Sequence, residues 1–231
     1  INSTVTPGEV TINNETLAYS FSGTGSIAGP GGVTKTGVGT ATMGTANTYT
    51  GPTVISGGTL TISTLANVGA ASNLGAGAAG SGSLVFNGGT LSYVGSAVST
   101  NRGYSVTGGE SVFDVQADVT MSGGVASSGG NFEKAGIGTL TLTGTANALS
   151  GGVVNVSNGT LALTGAGPGR DSQVNTNAGD LYVGTSQDYG AQLDVANARL
   201  NLGGSLVVGR GDGFLGNTAR MTLTNSAVTA A

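Results

Sequence analysis

The sequence predicts an all-β parallel β-solenoid, because of its composition, its internal repeats and its short alternating segments. Glycine supplies 45 of the 231 residues and charged residues make up only 8% of the chain. A typical soluble domain has roughly 7% glycine and about 25% charged residues. Val, Ile, Leu and Thr nevertheless recur in short blocks, which disordered chains usually lack. The apolar residues therefore predict many short strands.

Internal repeats are the strongest indication of a solenoid. The run VTKTGVGTATMGTANTYTGPTVISGGTLTI begins at Val33, and the similar run FEKAGIGTLTLTGTANALSGGVVNVSNGTLALTG begins at Phe132. A shorter pair of similar segments begins at Gly179 and Gly204. Each copy is expected to form strands that stack on the coil before it.

Apolar and polar residues alternate with period 2 within the segments, which is the signature of a strand. Thr59–Ile62 and Thr139–Thr143 show this pattern, and glycine pairs such as Gly57–Gly58 and Gly151–Gly152 predict tight corners. The glycine-interrupted run Ala70–Ala79 predicts a long loop. A sandwich or an up-and-down barrel is the alternative, but aromatic residues are few. With ~20 residues per coil the chain predicts roughly 10 to 12 coils, a rod ~50 Å long.

The first long repeat resembles the autotransporter-associated β-strand repeat, also called the passenger-associated transport repeat. The matching positions in the two copies are Lys35, Gly37, Gly39, Thr40, Asn47, Tyr49, Thr50, Gly51, Thr53, Gly58, Thr59 and Leu60, and then Lys134, Gly136, Gly138, Thr139, Leu140, Asn147, Gly151, Gly159, Thr160 and Leu161. The pair at Gly179 and Gly204 resembles the repeat associated with type V secretion and PEP-CTERM proteins. These resemblances imply a right-handed parallel β-helix from a bacterial autotransporter passenger, and they imply no chemistry.

The expected organisation is a single β-solenoid array over residues 1–231. Residues 1–32 would form N-terminal coils or a cap, residues 33–167 the autotransporter-associated repeats, and residues 168–231 the shorter C-terminal repeats. Ile1 stands where Met would begin a chain, which suggests a processed product or a segment of a longer parent. Extracellular or cell-surface localisation is expected, and the parent would carry any outer-membrane barrel.

Charge and missing residue types exclude several functions. The formal net charge is −4 and the seven basic residues are scattered, so nucleic-acid binding is not expected. The chain has no Cys and no His, which excludes disulfides and removes the commonest acid–base residue and metal ligand. We therefore predict no enzyme activity, no catalytic residues, no cofactor-binding residues and no metal-binding residues.

The closest grouping of carboxylates is Glu110, Asp114 and Asp118, which would share one side of a strand if no turn intervened. Such a group allows polysaccharide cleavage as a third possibility, but solvated strand or turn residues are the favoured interpretation. Asp188 and the Gly211-Asp212-Gly213 turn are single carboxylates that could contact calcium. Arg210-Gly211-Asp212 spells an integrin-recognition tripeptide. The Thr-x-Thr runs suggest ice-binding ladders, but Thr59–Thr61 and Thr139–Thr143 lie far apart in sequence.

The main hypothesis is a structural, surface-displayed or secreted scaffold that forms a stalk, filament or matrix module. The alternative is an adhesive or carbohydrate-binding passenger that contacts surface glycans through exposed aromatic rings. The stacking candidates are Tyr49, Tyr93, Tyr104, Tyr182 and Tyr189.

The two ends of the chain are expected to differ. Residues 1–19 could cap the N-terminal end, whereas the tail after Leu223 has no charge and no helical pattern. We expect the last coil to continue into further coils of the parent or to stack end to end with another copy, through a surface that includes Val228.

Overall fold

The computed structural model describes residues 1–78, 80–167, 173–184, 190–209 and 218–231. Within these residues the chain forms strands that stack in parallel into three sheets, apart from one short 3-10 helix at Ser81–Ser83. The predicted fold class, an all-β parallel β-helix, is confirmed. No helix in these residues is long and apolar enough to cross a membrane.

Sheet 1 has ten strands in its spatial order: β1 (Val10–Asn13), β3 (Val33–Thr36), β5 (Thr53–Ile55), β7 (Leu84–Asn87), β10 (Tyr104–Gly108), β13 (Val125–Ser127), β16 (Ala146–Ala148), β19 (Val174–Asn177), β22 (Arg199–Leu202) and β25 (Ala227–Thr229). Sheet 2 follows it around each coil: β2 (Tyr19–Phe21), β4 (Thr40–Met43), β6 (Thr59–Ile62), β8 (Thr90–Tyr93), β11 (Glu110–Val115), β14 (Asn131–Ala135), β17 (Val154–Val156), β20 (Leu181–Val183) and β23 (Leu206–Val208). Sheet 3 begins later: β9 (Val98–Thr100), β12 (Val119–Met121), β15 (Thr139–Leu142), β18 (Thr160–Thr164), β21 (Gln192–Ala196) and β24 (Arg220–Thr224).

One coil comprises a strand from sheet 1 and one from sheet 2, joined from β9 onward by a strand from sheet 3, and its length varies. Val33 pairs with Thr53, whereas Thr53 pairs with Leu84 across a much longer connection. Because loop length has only a weak effect on closure entropy, a solenoid tolerates such insertions at its corners. The ten strands of sheet 1 correspond to the lower end of the predicted number of coils.

The long connection between β6 and β7 contains the predicted alanine-rich loop and is held by Arg102. The Arg102 side chain is fully buried. Its Nε donates to the carbonyl oxygen of Ala66 at 2.7 Å, and its Nη2 donates to those of Gly75 at 2.6 Å and Ala76 at 2.9 Å. One cation therefore satisfies several loop carbonyls, which would otherwise be buried without donors.

Alternate side chains of every strand point into a narrow core. In β6, Leu60 and Ile62 are inaccessible to solvent, while Thr59 and Thr61 face outward. The widest part of the core is an aromatic cluster in which the ring of Phe86 lies 5.5 Å from that of Tyr104 and 5.9 Å from that of Phe132. Such edge-to-face contacts add to the energy of burial.

The corner between sheets 1 and 2 consists of glycine in coil after coil. We call it the glycine corner: Gly57–Gly58, Gly88–Gly89, Gly108–Gly109, Gly129–Gly130, Gly151–Gly152, Gly179 and Gly203–Gly204. Successive backbones touch there, since a Cβ atom added to Gly151 would lie 2.6 Å from the Cα atom of Gly129. This contact accounts for part of the unusual glycine content.

The inward-facing side chains of the last coil are partly exposed to solvent. Leu223 is 50% exposed, whereas its partner Val195 in the preceding coil is 1% exposed. Val208 likewise is 39% exposed over a fully buried Val183. Within this chain, the apolar interior is therefore accessible from the final coil.

Candidate functional site

Two lysines are fully buried at equivalent corners of the long repeats. The ammonium group of Lys35 donates hydrogen bonds to the carbonyl oxygens of Thr36 at 2.5 Å, Gly37 at 2.9 Å and Gly57 at 3.3 Å. The third acceptor lies in the next coil. The side chain therefore joins two successive corners.

Lys134 makes the same set of contacts in the second repeat. Its Nζ donates to the carbonyl oxygens of Ala135 at 3.0 Å, Gly136 at 2.6 Å and Asn158 at 2.9 Å. All three ammonium protons are thus used, and no carboxylate forms an ion pair with either lysine in the described residues. The two lysines act as donors to backbone corners, which an isolated buried charge requires.

Burial lowers the pKa of both lysines, because a low-dielectric surrounding disfavours the charged form. The Glu15 carboxylate partly offsets this effect for Lys35. For Lys134 the pKa falls from 10.5 to about 8, with the carboxylates of Asp114 and Asp118 acting in the opposite direction. The second lysine therefore titrates within an accessible pH range.

A glycine in the following coil makes room for each lysine. Gly58 has φ 59° and Gly159 has φ 60°, a left-handed conformation that favours glycine. A Cβ atom on Gly58 would lie 2.8 Å from the Nζ atom of Lys35, and one on Gly159 would lie 2.7 Å from the Nζ atom of Lys134. Lysine and glycine therefore form one structural unit.

An asparagine in each repeat connects coils at another corner. The buried Asn47 accepts a hydrogen bond from the backbone amide of Ile27 at 2.9 Å, and its Nδ2 donates to the carbonyl oxygen of Asn73 at 3.1 Å. Asn147 likewise accepts from the amide of Val125 at 3.2 Å, and it donates to Oδ1 of Asn175 at 2.8 Å. Each amide is thus bonded to the coils on both sides.

The two repeats occupy different faces of the solenoid. The first lysine lies on β3 of sheet 1, whereas the second lies on β14 of sheet 2. The repeat is therefore a local unit that extends from one coil into the next, and it builds the same corner wherever it begins.

The comparisons with known families agree with this geometry. The model of the family described as Passenger-associated-transport-repeat matches residues 33–62 and 132–163, the two segments that contain these corners. Both segments are passenger-associated transport repeats. The autotransporter passenger repeats expected from the sequence are thereby confirmed.

A relative extends the match beyond the passenger-associated transport repeats. The adhesin BmaC autotransporter of Brucella suis biovar 1 (strain 1330) is 42% identical over 115 residues, which cover 47% of this chain and 3% of the relative. The chain thus spans a very small part of that protein's length. No solved structure matches the chain significantly. Together the repeats and the relative support a surface-displayed or secreted bacterial passenger segment.

Three of the predicted stacking tyrosines are in the core, so that prediction was wrong for them. Tyr49 is 1%, Tyr93 2% and Tyr104 0% exposed. The alternation of apolar and polar residues along each strand could have separated buried from outward tyrosines. Tyr93 has the same inward phase as Leu91, whereas Tyr182 has the opposite phase to Leu181. Tyr182 is half-buried on the outer face of sheet 2, and Tyr189 lies outside the described residues.

A turn separates the three predicted carboxylates. Glu110 and Asp114 share the outer face of β11, but Asp118 lies beyond the corner before β12. Asp118 accepts a hydrogen bond from the amide of Thr139 at 2.8 Å, and Asp114 accepts one from Ser92 Oγ at 2.8 Å. These contacts give two of the carboxylates structural roles.

The other candidate positions fall outside the described residues or gather no ligand set. Asp188 and the tripeptide Arg210-Gly211-Asp212 belong to the segments that are not described. Within the described residues, no three Asp or Glu side chains come close enough to hold a metal ion.

The two Thr-x-Thr runs lie in different sheets of the solenoid. Thr59 and Thr61 pair with Thr40 and Thr42 on one side and with Thr90 and Ser92 on the other, all in sheet 2. The run at Thr139 lies in sheet 3. Three successive strands of sheet 2 thus carry outward-facing hydroxyl pairs in register, but these pairs come from neighbouring segments of the chain and not from the two Thr-x-Thr runs that the sequence singled out.

The surface of the first two-thirds of the chain is anionic. Lys35, Arg102 and Lys134 are the only basic residues in residues 1–78 and 80–167, and each is 0% exposed. The six carboxylates of these residues are all exposed or half-buried: Glu9, Glu15, Glu110, Asp114, Asp118 and Glu133. This part of the molecule presents carboxylates, amides and hydroxyls, but no cationic side chain.

A shallow groove of about 210 Å³ crosses the outer face of sheet 2. Its polar lining consists of Glu110 on β11, Asn131 and Glu133 on β14, Asn155 on β17 and Tyr182 on β20. Glu133 pairs with Asn155, which in turn pairs with Tyr182, so these three side chains form one row across successive strands. This row combines an aromatic ring, a carboxylate and an amide.

Proposed function

We propose that this segment serves as a rigid spacer in the passenger of a surface-displayed bacterial protein. The observation that carries the proposal is the uninterrupted stacking of ten strands in sheet 1. Since parallel strands pair along the whole array, the distance between its ends depends on the number of coils. At about 4.8 Å per coil, ten coils give a rod of roughly 40–50 Å.

The buried polar contacts support a role in which rigidity matters. Lys134 and Asn147 each bond to a neighbouring coil through fully buried groups. Such networks stabilise one register, because a shift of the coils would leave buried donors and acceptors unpaired. A spacer with a single register has a defined length.

The anionic surface also suits a displayed spacer. Charge of one sign along the sides of the rod opposes side-by-side contact between neighbouring displayed molecules. The structural roles of Asp114 and Asp118 argue against catalysis. Replacing Glu110, Asp114 and Asp118 with their amides should change no polysaccharide-cleaving activity, since we expect the original chain to have none.

The test is to vary the number of coils. A chain carrying this segment twice in tandem, fused to an N-terminal epitope and displayed on a bacterial surface, should hold the epitope about one rod length further out. X-ray scattering of the single segment should show an elongated particle. A compact particle, or an epitope height that does not change with the added segment, would contradict the spacer function.

A further inference from the structure

The groove on sheet 2 has a polar lining that is held in place before any ligand arrives. Nδ2 of Asn131 donates to Oε1 of Glu110 at 2.7 Å, and Oγ of Ser157 donates to Oε1 of Glu133 at 2.6 Å. The Tyr182 hydroxyl donates to Oδ2 of Asp180 at 2.9 Å. Each carboxylate that faces the groove is thus oriented through one oxygen, which leaves the other as an acceptor.

The groove is specific to the second passenger-associated transport repeat. Glu133 and Asn155 correspond to Thr34 and Val54 in the first repeat, and both pairs are in register across neighbouring strands. Thr34 and Val54 lie beside the same kind of corner and form the same strand pairing. The fold therefore does not require a carboxylate or an amide at these outward positions. The second repeat therefore carries polar groups that scaffolding alone does not explain.

One of these groups has an unmet hydrogen-bonding capacity. Oδ1 of Asn155 is enclosed and accepts no hydrogen bond within the described residues. Leaving a buried acceptor unpaired is energetically unfavourable. A ligand hydroxyl that turned this amide toward the groove would remove that cost.

We propose that this groove binds a glycan chain that carries no acidic sugars. The ring of Tyr182 offers an apolar face for a sugar ring, while the carboxylates and amides accept and donate the hydrogen bonds that sugar hydroxyls need. Carboxylates bind hydroxyl groups more strongly than neutral acceptors do. The absence of exposed cations in residues 1–78 and 80–167 disfavours sialylated, uronic or sulphated chains, whose charge would be repelled.

The direction of the groove fits a polymer better than a single sugar. Its polar lining comes from four successive strands of sheet 2, β11, β14, β17 and β20. Neighbouring strands are separated by about 4.8 Å, so the groups recur along the solenoid axis. A chain of linked sugars lying along this axis would meet a polar group or the aromatic ring at each coil.

The probes are tetramers of N-acetylglucosamine, glucosamine and glucose, with a hyaluronan tetrasaccharide as the acidic arm. Isothermal titration calorimetry on the 231-residue chain should show binding of at least one of the first three and no binding of the acidic arm. Tyr182→Ala should weaken that binding roughly tenfold or more, about 1.4 kcal/mol. Tyr182→Phe, which keeps the ring, should retain most of it.

Matched variants separate recognition from folding. The double variant Glu133→Thr with Asn155→Val takes the residues of the first repeat, so it should fold normally and lose binding. Tyr19→Ala and Glu9→Gln, which change exposed residues outside the groove, should leave binding unchanged. If none of the three tetramers binds at millimolar concentration, if hyaluronan binds better, or if the double variant binds as the original chain does, the glycan site is wrong, while the spacer function is unaffected.

Discussion

The Nζ atom of Lys134 lies 2.9 Å from the carbonyl oxygen of Asn158, which belongs to the next coil of the solenoid. Lys35 makes the equivalent contact with Gly57 in the first repeat. The lysine that recurs in the repeat pattern thus links two successive coils through hydrogen bonds. Because its ammonium group reaches the next coil, the residue that it meets there must be a glycine.

Replacing Lys134 with Met should destabilise the chain strongly. The substitution removes the donor to three carbonyl oxygens, two of which belong to the corner beside Lys134. Each buried carbonyl left unpaired costs about 1–3 kcal/mol. Denaturant unfolding should therefore show a large fall in the free energy of unfolding, whereas Arg220→Met at an exposed position should change it little. Equal effects of the two substitutions would show that the buried lysine contributes no more than a surface base.

The stability of the chain should rise with pH above about 8. The pKa of Lys134 is about 8 in the folded chain, against 10.5 for an unperturbed lysine, so between these values the unfolded state binds more protons. The free energy of unfolding then increases with pH, because the cost of burying the ammonium is fully present below pH 8 and is relieved above it. The difference between the original chain and Lys134→Met isolates this effect from tyrosine ionisation. A difference that stays constant from pH 7 to pH 10 would contradict the lowered pKa.

Alanine at Gly159 should destabilise the second repeat. The residue has φ 60°, and a Cβ atom would lie 2.5 Å from the carbonyl oxygens of both Gly136 and Gly138. We expect a loss of more than about 1 kcal/mol in thermal or denaturant unfolding. Gly8→Ala is the control, since nothing lies within 4 Å of its Cβ position. A stability unchanged by Gly159→Ala would mean that the corner can shift to accept a side chain.

The isolated 231-residue chain is expected to associate through its last coil. Leu223 is 50% exposed and Val228 is only partly covered, although both occupy inward-facing positions. Light scattering should show association that weakens in Leu223→Lys or Val228→Lys. Val38→Lys, at a corner residue that is 77% exposed, should have no effect. A chain that remains monomeric at high concentration would show that the open coil does not pair with another copy.

The groove could be predicted from the sequence only in part. Alternation alone places Tyr182 outward and Tyr93 inward, so the sequence contained enough to separate the two. Nothing local, however, indicates that Glu110, Glu133, Asn155 and Tyr182 come together, because they lie on different coils. Their proximity depends on coil lengths, and these vary with each connection.

The amino-acid sequence by itself determined the parallel β-solenoid, the repeats and the absence of histidine and cysteine chemistry. Period-2 alternation and corner glycines are local properties, so each segment specifies its own strand and turn whatever surrounds it. Only the tertiary structure decided that the second repeat is placed on another face, that Lys35, Arg102 and Lys134 are buried, and that the surface of residues 1–78 and 80–167 is therefore anionic. These features depend on which coils become neighbours, since the partners of each buried cation include backbone carbonyls distant in sequence.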